Sequence, residues 1–379
     1  MHYEHEFAKK IGVRYAYSFN SGRVALYALL KVLMIGDEDE VILQVPTHIV
    51  VANAIKYLGA IPVYVDCCLD TYNINLELLE KKITKNTKAL ILQHTFGIPV
   101  NLDTALAIAN KHGLIVIEDC VHSLGATYEG KQVGSFGLGA IFSTEETKTI
   151  TTTMGGIAVT NDLKIAEGLE KFQLSCPWPT EEQVIRYLIR FIAYHILTYP
   201  YLHYYSRKIY EMLRHPSQAS FAPNTATEEE QQGRKPPTYE QRLSNAQSIL
   251  ALRQLNRLDE NISHRRLIAS LYNDKLIQYG FAVPKPSTKS QPAYVRYPVW
   301  VNQPSLTFKY SSNIVQLGEW FDSILLESKS PEYGNYQEGT CTCAEEAIKH
   351  LINLPTHSRV KVKDIDDIIN SIVISEFSK

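Results

Sequence analysis

Three segments of this chain hold residues that could do chemistry together. In LIVIEDCVH (114–122) an apolar run ends on Asp119. An acid at the end of a buried strand is costly unless a cation or a hydrogen-bond donor meets it. A protonated pyridine nitrogen is one such partner, and holding it turns a pyridoxal ring into an electron sink. Read alone, Asp119 also fits a helix cap or a loop residue. In FSTEETK (142–148) Lys148 follows a short strand within a Thr- and Glu-containing turn, where a lone lysine reads as a solvated charge. It gains interest from Asp119 upstream and from TTTMGGIAVT (151–160) downstream, where Gly155-Gly156 permits close backbone approach. A desolvated site beside a cationic cofactor lets a lysine lose its proton and form a Schiff base at neutral pH. The third segment is Asn20-Ser21-Gly22-Arg23, ahead of an apolar helix. Free N–H groups and the helix dipole favour an anion there, and Arg23 can fork onto a phosphate. A plain cap without ligand is the alternative.

Elements of one fold class must position these residues. RVALYALLKVLM (23–34) has helical spacing, and VILQV (41–45) and IPVYV (61–65) read as buried strands around a helix at 50–58 that stops at Gly59. A helix at 76–83, a strand at 88–94, a helix at 104–111 stopped by Gly113 and a strand at 114–118 continue the alternation. Short strands follow at 140–143 and 157–160. Apolar strands separated by helices mean an α/β architecture, a mainly parallel sheet with helices on both faces. Ligands bind such sheets beyond the carboxyl ends of the strands. Further on, 178–216 reads as a helical insertion, 222–238 as a flexible loop rich in Pro, Glu, Gln and Thr, and 244–278 as one long helix. A strand at 295–301, a loop at 328–343 and a closing helix at 365–374 complete a smaller α+β part. The expected division is 1–243 and 244–379.

The 379 residues carry 21% charged and 45% hydrophobic side chains and a net charge of −2, so bulk electrostatics points to no nucleic-acid partner. Six cysteines (67, 68, 120, 176, 341, 343) form no disulfide pattern, and Cys341-Thr-Cys343 lacks the second pair that a zinc site needs, so no metal is expected. The N-terminus has no apolar signal-like region, and the expected location is the cytoplasm. The uncharged FIAYHILTYPYLHYYS (191–206) is too short to span a bilayer and is interrupted by Pro200. Seven tyrosines (187, 194, 199, 201, 204, 205, 210), with Arg186, Arg190, Arg207, Lys208 and Arg214 around them, suggest a hairpin packed on its own domain or dimer partner. A peripheral membrane contact through 178–216 is the second reading.

In order and nearly in spacing, the blocks NSGRVAL, GDEDEVILQVPTHIVVANAI, GAIPVYVD, KALILQHTFGIPVNLD, IEDCVHSLGATYEGKQVGSFG and FSTEETKTITTTMGGIAVTND resemble the DegT/StrS-type sugar aminotransferases. RLSNAQSILALRQLNRLDENISHRR and LINLPTH extend the likeness. It runs from about Glu6 to the C-terminus, apart from 176–236. It implies the fold type I architecture of pyridoxal 5'-phosphate enzymes and that cofactor. Lys148 resembles the Schiff-base lysine and general acid/base, and Asp119 the carboxylate on the pyridine nitrogen. His122 matches a position that bonds the phenolic oxygen, and His48 one whose aromatic side chain stacks on the ring. Ser143, Ser21, Gly22 and Arg23 resemble the phosphate cup. Arg23 departs from the family's threonine. Glu240, ahead of Arg242-Leu243, replaces an asparagine that reaches the neighbouring subunit's cofactor, and that role is not carried over. The arm that usually precedes the first helix is largely absent.

The resemblance implies ping-pong transamination from an amino acid, L-glutamate, to a nucleotide-linked keto sugar within a homodimer. Which sugar and which nucleotide the residues leave open. Two alternatives stand beside it. One is sugar dehydration on the same scaffold, against which Lys148 counts, since the dehydratase relatives carry histidine there. The other is a non-catalytic regulatory or membrane-associated binding protein, suggested by Glu240, the missing arm and the aromatic insertion.

Overall fold

In the computed structural model, residues 2–199 and 225–377 are described. Ten strands lie in the first half: β1 (Tyr15–Phe19), β2 (Glu40–Gln44), β3 (Thr47–His48), β4 (Ile61–Val65), β5 (Thr87–Gln93), β6 (Ile115–Asp119), β7 (Thr127–Tyr128), β8 (Lys131–Gln132), β9 (Gly139–Ser143) and β10 (Gly156–Thr160). Seven of them form one sheet in the order β1-β10-β9-β6-β5-β2-β4. β4, β2, β5, β6 and β9 pair in parallel, whereas β10 runs antiparallel to both of its neighbours. Side chains alternate between two cores. Ala89, Ile91 and Ile141 join the cluster on one face, and Leu90, Leu92, Ala140 and Phe142 join the cluster on the other. This two-sided burial is why these strands read as continuous apolar runs.

Helix α1 (His2–Ile11) and strand β1 were not foreseen. α1 buries Tyr3, Phe7, Ala8 and Ile11, and Phe7 meets Phe142 of β9 edge-on at 5.1 Å. Helix α2 (Gly22–Val32) is buried almost throughout. Helix α3 (Ile49–Lys56) takes His48 as its N-cap. The helix expected at 76–83 is a four-residue helix, Leu76–Leu79, followed by a 3₁₀ turn at Glu80–Lys82.

The long helix expected at 244–278 is two helices, Asn245–Leu255 and Leu258–Gln278. No glycine or proline marks the break. Gln254 bonds Thr151 through both its amide nitrogen and oxygen, which anchors the end of the first helix before the chain turns at Asn256 and Arg257. Leu258 and Ile262 pack in the large-sheet core, whereas Ile268, Ala269, Tyr272 and Leu276 pack in a C-terminal cluster. The helix Leu258–Gln278 thus contributes to both clusters. The C-terminal part adds β11 (Ser290–Gln291, paired with β7), β12 (Arg296–Trp300), β13 (Leu325–Leu326, parallel to β3) and β14 (Leu351–Pro355, antiparallel to β12). It ends in the helix Ile365–Phe377. The expected loop at 328–343 contains a 3₁₀ turn, Pro331–Gly334, and leads into the helix Thr342–His350.

The flexible-loop and helical-insertion readings gain partners. The stretch 222–238, where described, is anchored rather than loose. Thr227 and Glu230 close a capping box on the helix Glu228–Gln231, and Glu327 accepts bonds from the Thr225 and Ala226 N–H groups at 2.8 and 2.6 Å. Composition could not foresee these partners, which lie about a hundred residues away. Within 178–216, Glu181–Leu197 is a helix. One side packs on its own domain: Arg190 pairs with Glu146, and Thr153 donates to the Tyr187 carbonyl at 3.1 Å. Ile185, Ile189, Ile192 and Ile196 stand exposed on the other side. Pro200, Tyr201, Tyr204, Tyr205, Arg207, Lys208, Tyr210 and Arg214 lie outside the described residues. No described helix is long and apolar enough to cross a membrane.

Candidate active site

Strands β5, β6 and β9 end side by side. Gln93 pairs with Asp119, and Asp119 with Ile141, so the carboxyl ends of three parallel strands open on one cleft. The cleft and the open solvent at its mouth together take up about 650 Å³. All eight residues singled out in the sequence line it: Ser21, Gly22, Arg23, His48, Asp119, His122, Ser143 and Lys148.

Asp119 is buried at the end of β6. Its Oδ1 accepts a bond from the Val121 N–H at 3.1 Å, while Oδ2 is sealed from solvent without a partner. Burial raises its pKa to about 6 against the pull of that bond and of Lys148, His94 and His48. A buried carboxylate oxygen without a partner is the acceptor that a pyridinium N–H requires. His122, also buried, keeps an unpartnered Nδ1 and stacks on Trp320 at 4.6 Å. Burial and the nearby Lys148 push its pKa well below the usual histidine range, so the ring is neutral.

Lys148 sits in a tight turn, its N–H donating to the Glu145 carbonyl at 3.1 Å. Its Nζ lies 4.3 Å from the centroid of the Trp320 ring. Burial lowers its pKa to about 8, opposed by Glu145 and Asp119 and assisted by Arg296. Three amides hold this loop from behind. Gln247 donates to the Met154 carbonyl at 2.6 Å, Gln254 to that of Thr151 at 2.6 Å, and Asn261 to that of Thr149 at 2.9 Å. Gln247 and Gln254 lie seven residues, two turns, apart on one helix and reach toward the same side, and Asn261 joins them from the next helix.

The anion end is less uniform. Ser21 begins α2 in an extended conformation without a side-chain cap bond, leaving the first N–H groups of the helix for a ligand. Packing there is close: a Cβ on Gly22 would lie 3.2 Å from the Ser143 Cβ, and one on Gly156 only 2.2 Å from the Gly22 nitrogen. Arg23 does not offer its guanidinium to the cleft. It bonds Glu230 at 2.5 Å, Glu145 at 3.4 Å and the Thr225 carbonyl at 3.0 Å. The buried pair satisfies the cation internally. His48 is likewise committed. Its Nδ1 accepts from the Val50 N–H at 3.3 Å, and its Nε2 lies 3.5 Å from Glu327. Burial would raise the Glu327 pKa, but hydrogen bonds from His48, Ala226 and Thr225 hold it near 2.

A model of the DegT/DnrJ/EryC1/StrS aminotransferase family matches residues 1–187 and 206–373. The chain belongs to that family. The chain is 29% identical over 378 residues to the GDP-perosamine synthase of Caulobacter vibrioides, which covers 98% of this chain and 88% of that protein. Another GDP-perosamine synthase, from Escherichia coli O157:H7, is 42% identical over 160 residues, 42% of this chain and 44% of that protein. The crystal structure of S. venezuelae DesV in complex with a ketimine intermediate has a TM-score of 0.77 at 24% identity, covering 100% of this chain and 89% of that one. The fold is therefore fold type I, and the family implies pyridoxal phosphate as cofactor. The unmatched segment, 188–205, is narrower than the insertion expected at 178–216.

In this aminotransferase several cleft residues escaped the sequence reading: Gln93, Thr225, Trp320 and Phe321. Trp320 and Phe321 lie more than 170 residues from Lys148 and carry no local signal. Gln247, Gln254 and Asn261 had one, since their spacing within RLSNAQSILALRQLNRLDEN is visible, but what they hold is not. Glu240 faces Lys235 at 2.5 Å, and Arg242 donates to the carbonyls of Cys176 and Leu174, so both are occupied within the chain.

The lowered pKa of Lys148 has a measurable consequence. With a value of about 8, roughly a tenth of the amine is free at pH 7, against about three in ten thousand for an ordinary lysine. Covalent capture of pyridoxal phosphate by the cofactor-free protein, trapped with borohydride, should rise about tenfold per pH unit up to about pH 7, with a midpoint near pH 8, and then level. A midpoint near pH 10 would mean that the site does not desolvate this amine.

Proposed function

We propose that the protein moves the amino group of an amino acid, L-glutamate in the first instance, to the keto carbon of a nucleotide-linked sugar. The observation that carries this reading is the buried, unpartnered Asp119 Oδ2 in the same cleft as the Lys148 amine. Bound pyridoxal phosphate supplies an electron sink that makes the α-proton of an amino acid removable. Asp119 holds a proton on the pyridine nitrogen, and His122 offers Nδ1 to the phenolic oxygen. Ser21, Gly22 and Ser143 receive the phosphate at the start of α2. Lys148, as the free amine, takes the α-proton from the donor and later returns a proton to the sugar carbon. His48 is assigned a wall of the site rather than a stack on the ring, because its ring caps α3 and pairs with Glu327. The working unit is proposed to be a homodimer with a twofold interface.

The two GDP-perosamine synthases make a GDP-linked keto sugar the first acceptor to try. Purified protein should absorb as a lysine-bound pyridoxal enzyme, bleach to the amine form with L-glutamate, and regain its colour with the keto sugar. A protein that binds pyridoxal phosphate but bleaches with no amino acid would sink the reading.

A further inference from the structure

Among the described residues, a cation beside the reactive amine remains without a counter-charge. Arg296 begins β12, directly across from Pro355 of β14. Its guanidinium lies 4.3 Å from the centroid of Trp320, the same ring that carries the Lys148 Nζ at 4.3 Å. The two groups are therefore at most twice that distance apart. The Arg296 Nε is sealed from solvent with no hydrogen-bond partner. The slot is shaped for this side chain, since a Cβ on Gly318 would lie 2.2 Å from its Nη1.

The surroundings deepen the excess of positive charge. Arg265 donates to the Val295 carbonyl and to Thr356 and Asn261, all neutral. Arg359 donates to Thr198 and to the His195 carbonyl, again neutral. His357 feels Arg265, Arg359 and Arg296 together. Among the described residues no carboxylate pairs with any of the three arginines. A desolvated guanidinium is costly unless an anion completes it.

We propose that Arg296 binds the α-carboxylate of the amino donor. Only the α-carbon separates that carboxylate from the nitrogen that reacts where the Lys148 amine stands. In a nucleotide-linked sugar the first phosphate lies farther from the reacting carbon, beyond the anomeric carbon and its oxygen. Guanidinium geometry also suits two carboxylate oxygens at once. The Arg296 guanidinium and the Lys148 amine lie over the same Trp320 ring, so donor nitrogen and donor carboxylate would be placed by one indole. The inference rests on the aminotransferase reading and names the residue that recognises its first substrate.

The test compares wild type with R296Q and R296K as holoenzymes in two half-reactions followed by cofactor absorbance. One uses L-glutamate. The other runs backwards from the amino sugar nucleotide, which has no carboxylate. R296Q should need roughly 30-fold more glutamate for half-maximal rate, the loss expected of a charged hydrogen-bonded pair. It should affect the amino-sugar half-reaction several-fold less, since any change in the Lys148 amine from losing the Arg296 charge is common to both half-reactions. R296K, which keeps the charge and loses the fork, should fall between and guards against a folding defect in R296Q. Calorimetric binding of 2-methyl-L-glutamate, which has no α-proton to lose, should show the same ranking without turnover. Equal glutamate saturation in wild type and R296Q would overturn the proposal, and so would an equal loss in both half-reactions. If wild type bleaches with no amino acid, the function fails first. The calorimetric ranking then still shows whether Arg296 holds a carboxylate.

Discussion

Lys148→Ala should lose transamination by roughly 10⁴-fold or more, because one substitution removes both the covalent anchor and the proton carrier. The variant should still fold. The Lys148 side chain makes no hydrogen bond or salt bridge among the described contacts, and its loop is held by Gln247, Gln254 and Asn261 through backbone carbonyls that alanine leaves in place. After borohydride treatment, mass spectrometry should find cofactor on a Lys148 peptide in wild type and on no lysine in the variant. Cofactor fixed to the variant would show that another lysine does this work. Trp320 offers a second readout. Removing a cation 4.3 Å from its ring centroid should change its fluorescence, and no distant lysine would do that.

Asp119→Asn should lower the rate by roughly 10³-fold, the scale of removing a preorganised charge at the reacting centre. An amide cannot hold the pyridine proton as a carboxylate does. Cofactor should still be captured, since Lys148 and the start of α2 are untouched. The stability change has the opposite sign. The folded pKa of Asp119 is raised to about 6 from the usual 3.8. Between those values the folded state binds more protons than the unfolded one, so stability falls as pH rises through that window and the penalty is complete above it. The cofactor-free variant should therefore melt no lower than wild type at pH 7.5, and wild type should close the gap as pH drops from about 6 toward 4. Activity near that of wild type would remove Asp119 from the nitrogen. A strongly lowered melting temperature would mean a structural role instead. Loss of activity with stability kept is the signature of a charge maintained for function.

Much of this site could be read along the chain because its parts lie at strand ends. Asp119 follows LIVIE and Lys148 follows a short strand, and a parallel sheet gathers such ends at one edge. Apolar runs and helical spacing are local properties, so the alternation from 40 to 160 and the side of the sheet that binds ligand came from sequence alone. The antiparallel sense of β10 did not, because Gly156–Thr160 is as apolar as its neighbours and direction depends on the connection through the Lys148 loop. The break at Asn256 was equally hidden, since Thr151 decides it and lies a hundred residues upstream.

The partners of the predicted residues show the same limit. The sequence by itself determined the α/β class, the order of Asp119 and Lys148, and the place of the cleft. Tertiary structure alone decided that Arg23 spends its charge on Glu230, that His48 turns to Glu327, and that Trp320 joins His122, Lys148 and Arg296 around one ring. Periodicity records which face of its own element a side chain occupies. A guanidinium or an imidazole takes whichever charge the fold brings within a few ångströms, and the carboxylates that Arg23 and His48 meet lie 207 and 279 residues away.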